Sequence, residues 1–350
     1  MSEFFVLLPI RDEADIIAQC LDHLLKWADA IYTFDTGSVD NTWEIVQDFA
    51  SSEKRVLPMR KEPVLFSEAR LRGYMFHVAR QKMHSGDWFL RADADEFHHI
   101  APPEFVKNCM RKHETVAYHQ YYDFHLLRSE VDTWNRGEEN LEDRKRPIEE
   151  RRRYYTISPY TEPRLCRYRA TMQWPATVSF PFNAGYVARE RLPIRHYPHR
   201  DPVQSQRRSR LRALMIGLMG EQLFTGYGKG DVERYRSEVA SIQCGGGQSS
   251  SVATTQIVDW GRFVTPDDLP GLKYWNPGTE LPLVQLTNHL RPSHIRAVQR
   301  CIHTFCLPIL DRLRPRFPAN GAPQPLPGEI VEVFQHELTE AKSPLAEESI

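Results

Sequence analysis

The apolar segment near the start of the chain, Phe4–Ile10, constrains the fold more than any other feature of the sequence. It reads FFVLLPI and contains no charged residue. A strand without alternating polar positions is typical of a parallel sheet that helices cover on both faces. Because parallel strands need crossover connections, which are usually helices, this segment predicts an α/β chain.

Helical and extended patterns alternate along the rest of the first hundred residues. The spacing of apolar residues predicts helices over residues 15–27, 41–49 and 68–82. Short apolar runs predict further strands over residues 30–34, 55–59 and 87–90. This order predicts βαβ units and a mostly parallel sheet with flanking helices. Ligands of such sheets bind beyond the carboxyl ends of the strands, so the polar strand ends at 9–13, 35–40 and 93–96 should converge.

The pattern loosens after residue 100. Strands are predicted over residues 116–127, 163–168 and 192–197, and a further helix over 205–224. Residues 136–153 carry many charges of both signs, which predicts an exposed insertion or a mobile lid. The segment GGGQSSS, from Gly245, is typical of a flexible linker. We therefore expect one domain over residues 1–240, a linker over 241–251, a helical extension over 252–317 and a disordered tail over 318–350.

The charge balance of the chain excludes one broad class of partner. Its 350 residues include 45 Lys and Arg against 46 Asp and Glu, so no net charge attracts nucleic acid or a membrane. No apolar run approaches the roughly 20 residues of a transmembrane helix. The six cysteines are scattered without a CxxC pair, which favours reduced thiols. We expect a cytoplasmic protein without a transmembrane segment, although a peripheral position at a membrane is compatible with the sequence.

Three acidic residues follow the strand predicted over residues 87–90. Asp93, Asp95 and Glu96 stand in the sequence DWFLRADADEF. Ionised carboxylates are costly beside a core unless something positive binds them. Divalent cations such as Mg²⁺ bind carboxylate oxygens and take water and substrate phosphates as their other ligands. A solvated acidic turn also explains a single DxD pattern, but its position after an apolar strand favours a metal site.

The loops after the first two strands each have two interpretations. In DTGSVD, from Asp35, the glycine permits a tight turn, and Ser38 or Asp40 can cap the next helix. Asp35 would then be able to accept hydrogen bonds from a ligand. Taken by itself, a plain strand-to-helix turn is the better interpretation of these residues. Likewise, the sequence RDE, from Arg11, is either a charged loop or one wall of a nucleotide pocket.

Several segments together resemble the family 2 glycosyltransferases of the GT-A fold. They are LLPIRDEADIIAQCLDHLLKWAD, DTGSVDNT, FSEARLRGYMFHVAR, GDWFLRADADEF and IRHYPHRDP. The resemblance covers about the first two-thirds of the chain. It implies a GT-A-like α/β fold and transfer of a sugar from a nucleotide diphosphate sugar, with a UDP-sugar as the expected donor. The acceptor would be a glycan, a lipid or a protein, and the metal Mn²⁺ or Mg²⁺.

The resemblance also assigns roles to individual residues. The nucleotide base would contact Pro9, Arg11, Glu13 and Asp35, and Arg70 would lie near the nucleotide. Asp93 would bind the ribose or the metal, and Asp95 would bind the metal that holds the diphosphate. His196, in IRHYPHRDP, would complete the metal site, although a structural histidine explains it equally well.

One stretch departs from the family pattern. Inverting transfer needs an Asp or Glu as general base beside the acceptor hydroxyl, and related sequences carry an acid before the histidine. Residues 170–188 contain none, so Asp123, Glu162 and Asp201 are considered as substitutes. The alternative is a non-catalytic nucleotide-sugar-binding protein on the same fold. A nucleotidyltransferase is disfavoured, because no Gly-rich phosphate loop with a lysine lies near the first strand.

Overall fold

The computed structural model describes residues 2–64, 68–174, 179–182, 184–208 and 264–285. These residues divide into two units. The first unit contains the described residues up to 123, together with 157–196 and 278–285, and the second contains 124–156, 197–208 and 264–277. The strand ends predicted to form a nucleotide and metal site all fall within the first unit.

Four parallel strands form the centre of the sheet in the first unit. They are β1 (Phe4–Ile10), β2 (Ala30–Asp35), β3 (Val56–Lys61) and β4 (Trp88–Arg91). Their order in the sheet is β3-β2-β1-β4, with β1 paired on both sides. Every residue of β1 is buried, as its unbroken apolar pattern predicts.

Helices connect these strands in the expected order. α1 (Ile17–Leu24) and α2 (Thr42–Ser52) follow β1 and β2, and α3 (Gly73–Ala79) precedes β4. The buried residues of α1 recur at helical spacing and form one face; they are Ile17, Cys20, Leu21 and Leu24. A π-helical turn (Glu68–Arg72) leads directly into α3, where the sequence predicts one continuous helix. Such turns are frequent at functional sites.

Further strands extend the sheet beyond β4. β6 (Val116–Phe124) and β4 both pair antiparallel with β8 (Pro163–Arg167), which lies between them. β9 (Leu192–His196) pairs parallel with β6 and antiparallel with the short strand β5 (Glu96–His98). α4 (Pro102–Asn108) follows β5. The predicted α/β fold with flanking helices is confirmed, and its sheet is mixed around a parallel centre.

Aromatic side chains form the core between α3 and the sheet. Trp174 is fully buried, and its ring centroid lies 5.8 Å from that of Phe76 and 6.5 Å from that of Phe89. The rings of Phe76 and Phe89 are 5.0 Å apart. Burial of one such side chain contributes about 3 kcal/mol to stability. The cluster fixes α3 on β4, and so fixes the residues that precede α3 relative to those that follow β4.

The second unit contains short helices and one pair of strands. They are α5 (Arg128–Asn135), a 3₁₀ helix (Leu141–Lys145), α6 (Ile148–Arg151), and β7 (Tyr154–Ile157) paired antiparallel with β10 (Lys273–Tyr274). Arg151 and Arg152 are buried and form ion pairs with Glu139. The prediction that residues 136–153 are an exposed insertion is wrong for these two arginines, because their ion pairs offset the cost of burial.

Some predictions concern residues outside the described ranges. The linker over 241–251 and the tail over 318–350 lie there, as do most of the extension over 252–317 and of the helix over 205–224. The predicted domain boundaries therefore stay predictions. Within the part of the chain that the structure describes, no helix is long and apolar enough to cross a membrane.

Candidate functional site

The site begins where β4 ends beside β1. The two strands pair only as far as Leu7 and Arg91, after which the Ala92 amide donates to the Leu7 carbonyl at 3.1 Å. β1 continues alongside β2 to Ile10. The backbone nitrogen of Pro9 faces the side on which β4 has already ended. Because proline has no N–H group, no hydrogen bond between strands is lost at this position. The chain after β4 therefore leaves the sheet next to the last residues of β1, and the polar strand ends come together.

The loop after β1 is hydrogen-bonded to the loop after β2. The Asp12 amide donates to Ser38 Oγ, and the Val39 amide donates to Asp12 Oδ1, both at 2.8 Å. The Glu13 amide donates to Thr42 Oγ1 at 2.8 Å. Asp12 has a φ of 54°, a conformation that L residues adopt rarely. These bonds hold together the two loops that the sequence assigns to the nucleotide base.

Asp35 ends β2 as a fully buried carboxylate. Its Oδ1 accepts hydrogen bonds from the amides of Gly37, at 2.8 Å, and Ser38, at 2.6 Å. Gly37 adopts a φ of 99°, which only glycine tolerates easily. Burial raises the pKa of Asp35, while the Ser38 and Gly37 bonds act in the opposite direction. Among the described residues, Oδ2 has no hydrogen-bond partner. A buried acceptor of this kind is rare, and it suits an N–H group of a ligand.

Two arginines hold Asp93. Arg72 Nη2 forms an ion pair with Asp93 Oδ1, and Arg164 Nη2 lies 3.2 Å from Asp93 Oδ2. Arg72 also donates to the carbonyls of Leu7 and Ala92, at 3.4 and 3.1 Å, so it bridges the ends of β1 and β4. Burial opposes ionisation of Asp93, but the two arginines outweigh it and lower its pKa to about 2. The protein itself therefore balances the charge of this carboxylate.

Glu96, at the start of β5, shares Arg164 with Asp93. It is fully buried, its Oε1 lies 2.6 Å from Arg164 Nη2, and the same oxygen accepts a hydrogen bond from the Tyr121 hydroxyl. Burial raises the pKa of Glu96 to about 7, although Arg164 acts in the opposite direction. A buried pair of this kind is costly to break, because the remaining partner loses the opposite charge that compensates for its burial.

Asp95 faces His196. Asp95 Oδ2 lies 3.7 Å from His196 Nε2, and Asp123 Oδ1 lies 2.7 Å from His196 Nδ1. The strands set this geometry, since the register of β5 and β9 places Glu96 opposite His196. Burial opposes protonation of His196, but Asp95 and Asp123 outweigh it and raise its pKa to about 10. The imidazolium therefore lies between two carboxylates.

Asp95 and His196 offer ligand atoms for a divalent cation. Mg²⁺ ligands lie about 2.0–2.1 Å from the ion, so neighbouring ligands of an octahedral site are about 3 Å apart. The 3.7 Å between Asp95 Oδ2 and His196 Nε2 is close to that spacing. Within the described ranges, no group of three or more His, Cys, Asp or Glu side chains is arranged to hold a metal. The other ligands would have to be phosphate oxygens and water, which suits an ion bound together with a diphosphate.

The three acids considered as general bases have different surroundings. Glu162 Oε1 lies 3.4 Å from Arg164 Nη2. In the second unit, Asp201 is buried and accepts two hydrogen bonds of 2.9 Å from Arg144. Burial opposes ionisation of Asp201, but the hydrogen bonds from Arg144 outweigh it, lower its pKa and make its carboxylate a weaker base. Asp123 is the one whose carboxylate contacts a histidine of the site.

Sequence reasoning assigned Arg70 to the nucleotide but missed Arg72 and Arg164. Arg70 is exposed, whereas Arg72, two residues later, is fully buried against Asp93. Both lie in one predicted helix, so the sequence did not distinguish them. Arg164 did carry a signal, because it precedes the apolar pair Leu165 and Cys166 in a strand, and an arginine buried there requires a partner. Arg11, the other predicted arginine, donates to the Thr36 carbonyl at 2.9 Å.

The sequence of residues 5–170 matches the family model described as Glycosyl transferase family 2. The match extends from β1 to β8 and includes the three acids after β4, whereas His196 lies beyond it. It confirms, over this segment, the resemblance that the sequence motifs predict, and it supports a glycosyltransferase. No curated protein matches the chain.

Two solved structures are similar to this chain at low sequence identity. One is described as mannosyltransferase PcManGT from Pyrobaculum calidifontis in complex with GDP-Man and Mn²⁺; it is 12% identical, over 70% of this chain and 76% of its own, with a TM-score of 0.35. The other is described as glucosyl-3-phosphoglycerate synthase from Mycobacterium tuberculosis in complex with Mn²⁺, UDP and glucosyl-3-phosphoglycerate. It is 17% identical, over 47% of this chain and 57% of its own, with a TM-score of 0.26.

Proposed function

Since residues 5–170 match glycosyl transferase family 2, we propose that the protein transfers a sugar from a nucleotide diphosphate sugar to an acceptor hydroxyl. One observation carries the proposal: Asp95 Oδ2 and His196 Nε2 face each other at 3.7 Å beyond the carboxyl end of β4. Ligands of α/β sheets bind at this end of the strands. The acceptor is a glycan, a lipid or a protein.

Asp95 and His196 hold Mn²⁺ or Mg²⁺ in this proposal. When bound, the ion acts as a Lewis acid that neutralises charge on the diphosphate leaving group. The family resemblance assigns Asp93 to the ribose or the metal. Because Arg72 and Arg164 already balance its charge, we assign Asp93 to the ribose, which its 35% exposed side chain can reach.

Asp35 accepts a hydrogen bond from the nucleotide base through Oδ2. An ionised carboxylate is an acceptor only, and uracil offers it the ring N–H as a donor. We therefore propose a UDP-sugar as the donor. Pro9, Arg11 and Glu13 form the adjacent wall of the base pocket, and Arg70 remains a proposed contact to the nucleotide.

The proposed transfer inverts the configuration at the anomeric carbon by direct displacement. A general base removes the proton of the acceptor hydroxyl. A second candidate is a non-catalytic nucleotide-sugar-binding protein, which the absence of Asp and Glu from residues 170–188 favours. Release of UDP from a UDP-sugar by the wild-type protein, in the presence of an acceptor mixture, would exclude the second candidate.

Calorimetric binding of UDP, GDP, dTDP and CDP, each with and without Mn²⁺, tests the proposal. We expect micromolar binding of UDP that requires Mn²⁺. The variant Asp95→Ala should lose the Mn²⁺-dependent part, whereas Asp48→Ala, which removes an exposed carboxylate from α2, should bind as the wild type does. If none of the four nucleotides binds, or if Asp95→Ala binds unchanged, the proposed site is wrong.

A further inference from the structure

Asp123 and His196 are neighbours on adjacent strands. The parallel register of β6 and β9 places the two residues opposite each other. Side chains directly opposite in a sheet lie on the same face and within contact distance. The result is a contact of 2.7 Å between Asp123 Oδ1 and His196 Nδ1. The Asp123 side chain is about a quarter exposed, at 26%, so solvent reaches part of the carboxylate.

This contact determines which nitrogen of His196 is available to a ligand. A carboxylate accepts hydrogen bonds and does not donate them, so Nδ1 carries a hydrogen that it donates to Asp123. The other nitrogen, Nε2, points to Asp95 Oδ2 at 3.7 Å. A neutral imidazole bound in this way presents its lone pair on the side of Asp95, where a shared cation would lie.

Tyr121 restrains the same ring from a second direction. Its ring stacks on that of His196, with centroids 4.5 Å apart and planes inclined by 22°. Tyr121 is itself fixed, because its hydroxyl contacts both Glu96 and Arg164. Stacking sets the plane of the imidazole, and the bond to Asp123 sets the rotation within that plane.

We propose that Asp123 is a positioning residue, which holds His196 so that Nε2 can bind the divalent cation. The inference rests on the proposed function, since it concerns the same cation. Histidine ligands commonly donate their second N–H to a carboxylate, and loss of that partner weakens metal binding about 10- to 100-fold. This role differs from that of a general base, which acts on the acceptor and leaves metal affinity unchanged.

Titration of Mn²⁺ into the full-length protein, with and without saturating UDP, separates these roles. Asp123→Ala removes the acceptor, and Asp123→Ser draws it back from Nδ1 because the side chain is shorter, so both should weaken Mn²⁺ binding about 10- to 100-fold. Asp123→Asn keeps an oxygen that accepts from Nδ1 and should recover most of the affinity. Asp22→Ala, which removes an exposed carboxylate from α1, should bind Mn²⁺ as the wild type does.

The outcomes distinguish the inference from the function on which it rests. If the wild type binds Mn²⁺ and UDP, and the alanine and serine variants bind Mn²⁺ as tightly as the wild type does, the positioning role is overturned. The proposed function would still stand. Unchanged Mn²⁺ affinity in Asp123→Ala, together with loss of sugar transfer, would identify Asp123 as the general base instead. Failure of the wild type to bind Mn²⁺ and any nucleotide would overturn both proposals.

Discussion

Two histidines of the first unit, His23 in α1 and His98 in β5, form an uncharged pair in the core. Their rings are 5.9 Å apart and nearly parallel, inclined by 6°, and the His98 amide donates to His23 Nε2 at 2.9 Å. The rings of Trp27 and His98 pack edge to face, with centroids 5.4 Å apart. Within the described residues, neither ring nitrogen of His98 has a hydrogen-bond partner. Burial, followed by the nearby charge of Arg195, lowers the pKa of His23 to about 3.

This depressed pKa makes stability depend on pH in a definite direction. In the unfolded chain a histidine has a pKa near 6.5, so below that pH the unfolded state binds a proton that the folded state excludes. The contribution of neutral His23 to the free energy of unfolding is therefore complete above about pH 6.5 and is lost as the pH falls toward its folded-state pKa of about 3. Between pH 7.5 and 5.0, His23 alone accounts for at most about 2 kcal/mol of lost stability. Its partial exposure reduces this to about 1–2 kcal/mol.

The variant His23→Gln tests this reasoning, because glutamine does not titrate but can still accept the hydrogen bond from the His98 amide. Urea denaturation at pH 7.5 and pH 5.0 gives the free energy of unfolding at each pH. We expect the wild type to lose about 1–2 kcal/mol more than His23→Gln over this interval. His84 is the matched control, since its side chain is 88% exposed, and His84→Gln should follow the wild type. Equal losses in the wild type and in His23→Gln would refute the argument.

Three further predictions concern the site and its support. Asp35→Asn keeps one oxygen that accepts from the Gly37 and Ser38 amides, but it places an NH₂ group at the position of Oδ2. Calorimetry should then find UDP binding weakened at least about tenfold, while the melting temperature is unchanged. At pH 8, Arg164→Met leaves Glu96 and Asp93 without their shared cation and should cost about 3–5 kcal/mol in urea denaturation. The addition of Glu96→Gln should restore part of this loss, and a cost below about 1 kcal/mol would contradict the proposed network. Gly185→Ala should destabilise the folded protein more than Gly137→Ala does. Both glycines have a positive φ, of 103° and 75°. A Cβ at Gly185 would meet Thr115 and Arg169, whereas none of the described atoms lies within 4 Å of a Cβ at Gly137. Equal melting temperatures for these two variants would show that the close contacts relax without cost.

The parts of the fold that follow from local patterns could be predicted from the sequence. The bounds predicted for β1 agree with the structure, and α1, β2 and β4 differ from prediction only at their ends. Convergence of the strand ends could also be predicted, because parallel strands joined by helices have their carboxyl ends on one edge. These features depend on residues close together in the sequence.

The contacts within the site could not be predicted in the same way. The partner of His196 at Nδ1 is Asp123, which lies 73 positions earlier and meets it through the register of β6 and β9. Arg164 reaches Asp93 from 71 positions away. A sequence pattern gives the face of a strand on which a side chain lies, but strand register over such separations depends on the packing of the whole sheet.

The structure explains why an apolar strand should be followed by three acidic residues. Two of them, Asp93 and Glu96, form ion pairs with arginine side chains of the protein. Arg164 contacts both, and Arg72 contacts Asp93. For Asp93 the two arginines outweigh the cost of burial and lower its pKa, whereas for Glu96 burial outweighs Arg164 and raises its pKa. Asp95 instead faces an imidazole, a group that can exchange its proton for a metal ion. A third arginine at this position would have satisfied the charge equally well but would have excluded a cation. The proposed cation site therefore depends on the histidine opposite Asp95.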